Sequence, residues 1–128
     1  MATSSSLVLK KTAFPLALCY TVFILAMSLI NLNEVPKLGS SFDDKVYHSG
    51  AYMVMTLLWY NHFRFRRTPY KIVFSVTVSL VCGIIIEVLQ ETLTETRTGD
   101  VYDIFANCLG VLTAIVFVLV FRRIVNIN

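Results

Sequence analysis

Ile72-Val73-Phe74-Ser75-Val76-Thr77-Val78-Ser79-Leu80-Val81-Cys82-Gly83-Ile84-Ile85-Ile86-Glu87-Val88 decides the fold. In water, so many Val and Ile residues would argue for strands. A barrel strand, however, alternates with period two, and 72–88 holds no such alternation over its full length. In lipid, an apolar run of about 20 residues is best placed in a helix, which satisfies its own backbone groups. Three more stretches read the same way. The four expected spans cover about 12–32, 45–63, 70–90 and 101–121. The second is the most polar, holding His48, Tyr52, Asn61 and His62. The expected fold class is all-α: a polytopic membrane protein, a single domain over 1–128, built as a bundle of four transmembrane helices.

Composition supports this class. Of 128 residues, 56% are hydrophobic and 15% charged, and the mean hydropathy is +0.70. A soluble domain carries about 25% charged residues. The net charge of +3 is small, and no basic stripe is interleaved with aromatics, so nucleic acid is excluded as a partner. Cys19, Cys82 and Cys108 lie inside apolar stretches with no CxxC pair. They read as small buried hydrophobes. Pro15 falls in the opening turns of the first span, where a missing N–H is tolerated. Ala26-Met27-Ser28 imitates a signal-peptide cleavage site, although the apolar run before it is longer than usual for one. Ser4-Ser5-Ser6 reads as a frayed terminus.

The charges sort by side. Lys10, Lys11, Arg64, Arg66, Arg67, Lys71, Arg122 and Arg123 flank the ends that would share one face. Only Lys37, Lys45 and Arg97 belong to the other two connections. The positive-inside rule then puts both termini in the cytoplasm, in a cell's inner membrane. All eight acidic residues gather at the opposite face.

Helical spacing organises that face. Asp44, His48 and Tyr52 recur every four residues and share a side of the second helix. A carboxylate that orients an imidazole suits acid–base work or metal binding. Capping explains Asp44 equally well, since Ser41 followed by Asp44 suits a helix start. Asp43 reads as solvated. Glu87 follows three Ile residues about one turn inside the boundary, where a charge needs a partner. Gln90 and Glu91 lie on its side of the helix, Glu91 as a solvated interfacial acid, and Gly83 permits close helix contact. Asp103, Asn107 and Gly110 run along one face of the last helix. Arg97 could neutralise an acid or clamp a phosphate.

Asp44-Lys45-Val46-Tyr47-His48, then Gly83 with Glu87-Val88-Leu89-Gln90, then Arg97, Asp100, Asp103 and Asn107-Cys108-Leu109-Gly110 resemble the motifs of the VanZ-like family. The resemblance covers about 44–110, and Tyr52 also fits. It implies a bacterial cell-envelope membrane protein. The family is named for a protein linked to teicoplanin resistance, so the resemblance raises an effect on glycopeptide susceptibility, but it carries no settled catalytic assignment.

Two functions stay open. One is an enzyme or binding protein for a lipid-linked or amphiphilic envelope molecule or a glycopeptide. His48, Glu87 and Asp44 would be its catalytic candidates, and Lys45, Tyr52, Gln90, Arg97 and Asn107 would bind substrate. Asp100 and Asp103 would hold a divalent cation. The other is a non-catalytic membrane protein whose polar cluster ties helices together or forms a ligand-binding site. A proton pathway is disfavoured, because the opposite halves of the spans lack ionisable residues apart from His62. The oligomeric state is not encoded in any motif.

Overall fold

The computed structural model describes residues 4–30, 43–93 and 101–125. They form four helices: α1 (Ser4–Leu29), α2 (Asp43–Phe65), α3 (Lys71–Leu93) and α4 (Val101–Val125). No strand occurs among the described residues. Arg97 and Asp100 lie outside them, as does Ser41.

Each helix runs past its apolar stretch at one end or both, into polar residues that include no proline or glycine. α1 starts at Ser4, so Ser4–Ser6 are helical and not frayed. Pro15 is therefore interior to the helix, not in its opening turns. Its missing N–H leaves the Lys11 carbonyl without its usual helical donor. α2 closes through hydrogen bonds from Arg66 N to the Phe63 carbonyl (3.1 Å) and from Arg67 N to the Arg64 carbonyl (3.2 Å). Arg67 then takes a left-handed conformation at φ 55° and turns the chain toward α3.

Helices α1, α3 and α4 are long and apolar enough to cross a membrane. α2 is not among them. Its place in the bundle gives the reason: α2 packs against all three other helices, most extensively against α4. Its buried polar residues His48, Tyr52 and Thr56 face protein, where they are tolerated better than on an outer helix face. The outer helices instead expose Val22, Phe23, Ile84, Ile85, Leu112 and Phe117. These side chains suit contact with lipid tails. Cys19 is likewise exposed, while Cys82 and Cys108 are half-buried and all three thiols are free. The expected burial fails for Cys19 because a small apolar thiol is as acceptable to lipid as to a protein interior.

Apolar burial gives little drive between helices already surrounded by lipid, so close packing and polar bonds must join them. Tyr52, Met55 and Trp59 of α2 pack with Ala17 and Val111 in the core. Trp59 Nε1 donates to Thr21 Oγ1 at 3.1 Å. Thr56 Oγ1 donates to Ser79 Oγ on α3 at 3.0 Å. Tyr20 Oη donates to the Ala51 carbonyl at 3.1 Å. α2 and α4 approach closely at Gly110: a Cβ there would run into the Ser49 carbonyl of α2.

Candidate functional site

The start of α2, the end of α3 and the start of α4 meet at one end of the bundle. Antiparallel neighbours make this unavoidable, and the sequence places its acids at those three helix ends. Asp43 and Asp44 suit the first turn of α2, and Asp103 that of α4, because the exposed N–H groups there carry partial positive charge. Those positions also bring the carboxylates together.

His48 is the centre. It is 9% exposed, and polar groups from α2, α3 and α4 approach both ring nitrogens. Its Nδ1 donates to Asn107 Oδ1 of α4 at 3.1 Å. Behind Asn107 Oδ1, Glu87 Oε1 of α3 lies 4.0 Å from the same nitrogen. On the other side of the ring, Nε2 faces Asp44 Oδ1 at 3.8 Å and Asp103 Oδ2 at 3.9 Å. Lys45 Nζ donates to Asp103 Oδ1 and lies 3.9 Å from Asp44 Oδ2. Glu87, Asp103 and Asn107 are buried, whereas the side chain of Asp44 is 41% exposed. The cluster therefore has a closed interior and one open edge.

Most of the residues expected from the sequence converge here: Asp44, Lys45, His48, Glu87, Asp103 and Asn107. Tyr52 sits one turn deeper and is buried, and its ring would lie 3.1 Å from a Cβ at Gly83. The expectation of close helix contact at Gly83 thus holds, and the Tyr52 ring fills the space. Tyr52 Oη has no hydrogen-bond partner among the described residues. Gln90 points elsewhere in part: its Nε2 donates to the Ser28 carbonyl near the end of α1 at 2.9 Å. It thereby satisfies one of the carbonyls that a helix end leaves open. Asp43, expected to be solvated, is buried at the first position of α2. The first turn of α2 is covered on the side of Asp43 alone, while Val46 on the same turn is exposed. Glu91 is exposed, as expected.

One feature escaped sequence reading. A groove of about 720 Å³ runs between α2 and α4, lined by Lys45, Ser49, Gly50, Tyr102, Phe105 and Leu109 among others. Its walls are largely apolar and Lys45 stands at its polar end. The available signal was the small pair Ser49-Gly50 on α2, which leaves space opposite large side chains of α4.

Tyr52→Phe separates packing from chemistry. A buried hydroxyl without a partner costs about 1–3 kcal/mol, so the variant should melt at or above the wild-type temperature in detergent. A clear loss of stability would mean that Oη is satisfied and holds the bundle together.

A model of the VanZ/LLP1 family matches residues 7–122, which span all four helices. No curated protein and no solved structure gives a significant match. With the family match reaching well beyond the 44–110 motifs to include α1, the chain belongs to the VanZ/LLP1 family.

Proposed function

We propose that this membrane protein binds the polar head of an amphiphilic envelope molecule at the His48 cluster and acts on it there. α2 forms the fourth crossing, and the cluster faces the outer leaflet of the cytoplasmic membrane. The carrying observation is the imidazole of His48 held between Asn107, Glu87, Asp44 and Asp103 from three helices. Such an imidazole suits a general base, and the carboxylates hold its orientation. Lys45 offers a charge to an anionic head group. The sorting of basic residues toward the opposite end supports the orientation.

The groove beside Lys45 supports an amphiphile as opposed to a water-soluble substrate. Its apolar walls suit a hydrocarbon chain, and Lys45 belongs both to its lining and to the polar cluster. Arg97 belongs to the proposal as a further head-group contact, and a glycopeptide or a lipid-linked precursor fits the same chemistry. Any effect on teicoplanin susceptibility would follow from that binding.

Gly50 allows a specific test. A Cβ at Gly50 meets nothing within 4 Å, so a larger side chain there fills the groove without displacing the backbone. Native mass spectrometry of Gly50→Leu should show an unchanged fold and at least a tenfold loss of co-purified lipid. Unchanged retention would remove the groove from the account.

A second reading has its own support. Lys45–Asp103 and His48–Asn107 both join α2 to α4, as a purely structural tie would. Membrane hydrogen bonds average only about 0.6 kcal/mol each. That is a small return for burying several ionisable groups, and it favours the site.

A further inference from the structure

His48 Nε2 makes no hydrogen bond among the described residues, although the ring is nine-tenths buried. Asp44 Oδ1 and Asp103 Oδ2 approach it to 3.8 and 3.9 Å. These separations are too long for hydrogen bonds. They are close to the spacing of donors around one shared cation: metal–ligand bonds of about 2.0–2.2 Å place tetrahedral donors about 3.4 Å apart. One ligand atom from each of Asp44, His48 and Asp103 lies within 4.8 Å of the others. A small inward closure completes the triangle.

The surroundings point the same way, independently of that spacing. Each carboxylate divides its oxygens. Asp103 gives Oδ1 to Lys45 and turns Oδ2 to the imidazole. Asp44 has Oδ2 on the Lys45 side and Oδ1 on the imidazole side. The far nitrogen of the ring donates to Asn107 Oδ1, with Glu87 behind it. A metal-bound histidine is oriented in this manner, by a carbonyl or carboxylate on its other nitrogen. Charge agrees as well. Among the described residues around His48, the carboxylates of Asp44, Glu87 and Asp103 face the ammonium of Lys45. A divalent ion suits such an acid-rich setting.

We propose that Asp44, His48 and Asp103 form a binding site for one divalent transition-metal ion. Asn107 and Glu87 act as positioning residues behind the imidazole. Imidazole with two carboxylates suits Zn²⁺, Mn²⁺ or Fe²⁺ better than Mg²⁺ or Ca²⁺, which prefer all-oxygen shells. Three protein ligands leave a coordination position open toward the exposed edge at Asp44. The set differs from the Asp100 and Asp103 pair expected from sequence: it takes an imidazole and a carboxylate from α2 and one carboxylate from α4. With an ion on Nε2, His48 would be its ligand and no longer a general base; binding of an amphiphile head is tested separately, since metal binding is measured without added lipid and lipid retention without added metal.

The test uses the full chain in detergent, freed of metal by chelator and titrated with Zn²⁺ by calorimetry and with Co²⁺ by visible absorption. Wild type should take up one ion per chain, with a Co²⁺ spectrum of low coordination number. His48→Gln and Asp103→Asn should lower the affinity at least a hundredfold. Asn107→Ala should lower it about 10–100-fold, the usual cost of losing an outer partner. Asp44→Asn controls for folding, because Asp44 is the most exposed ligand. It should keep the metal-free melting temperature and still lose the ion. The proposal is overturned if wild type shows no stoichiometric uptake, or if Asp44→Asn and His48→Gln bind both ions as wild type does.

Discussion

Gly110→Ala should be the most damaging small substitution in the chain. A Cβ at Gly110 would meet the Ser49 carbonyl oxygen, with Ser49 C at 2.9 Å and Met53 N at 3.0 Å. All three obstacles are backbone atoms of α2, so no rotamer change relieves the collision. The helices must separate instead. Overpacking of a well-filled contact costs about 1–3 kcal/mol where side chains can yield; with rigid backbone in the way, about 3 kcal/mol is expected here. Thermal unfolding in detergent, followed by size exclusion, checks this. Gly50→Ala is the matched control: it lies on the neighbouring helix with open space around it. It should be neutral, or stabilising by up to about 1 kcal/mol through helix propensity. Equal melting of Gly110→Ala and wild type would mean that α2 and α4 do not cross at Ser49. Because that crossing also holds His48 against Asn107 and Lys45 against Asp103, Gly110→Ala should abolish lipid retention too.

His48→Gln should show the opposite pattern, with function lost and fold kept. The variant gives up the bond from Nδ1 to Asn107 Oδ1. In a membrane protein that bond is worth about 0.6 kcal/mol, and at most about 1.7. The glutamine amide can replace part of it. Melting should therefore fall only slightly. Lipid retention, and any effect on teicoplanin susceptibility, should fall at least tenfold. Glu87→Gln should behave alike. A collapse of the fold in both variants would assign the cluster to helix tying.

Much of this site was legible because membranes make polar residues conspicuous. Glu87 after Ile84-Ile85-Ile86, and Asn107 ahead of Gly110, stand out where hydrocarbon would penalise them. Helical spacing then put Asp44, His48 and Tyr52 on one face and Asp103, Asn107 and Gly110 on another. The structure brings those faces together. Helix ends were less legible. Hydropathy marks where a chain leaves lipid, not where its helix stops, so α1 extends back to Ser4 and encloses Pro15. Hydropathy singles out α1, α3 and α4, and α2, which packs against all three, falls outside that set. The tie from Gln90 to Ser28 could not be read, since its acceptor is a backbone carbonyl 62 positions away. The groove had no motif because it is defined by missing side-chain volume at Ser49 and Gly50.

A double-mutant cycle on His48 and Asn107 tests most directly whether helices α2 and α4 build one working site. Lipid retention is measured for His48→Gln, Asn107→Ala and the pair. Residues that act as a unit are strongly non-additive. The expected result is a large loss in each single variant and little further loss in the double. Independent losses that multiply, or wild-type retention in His48→Gln, would contradict the account.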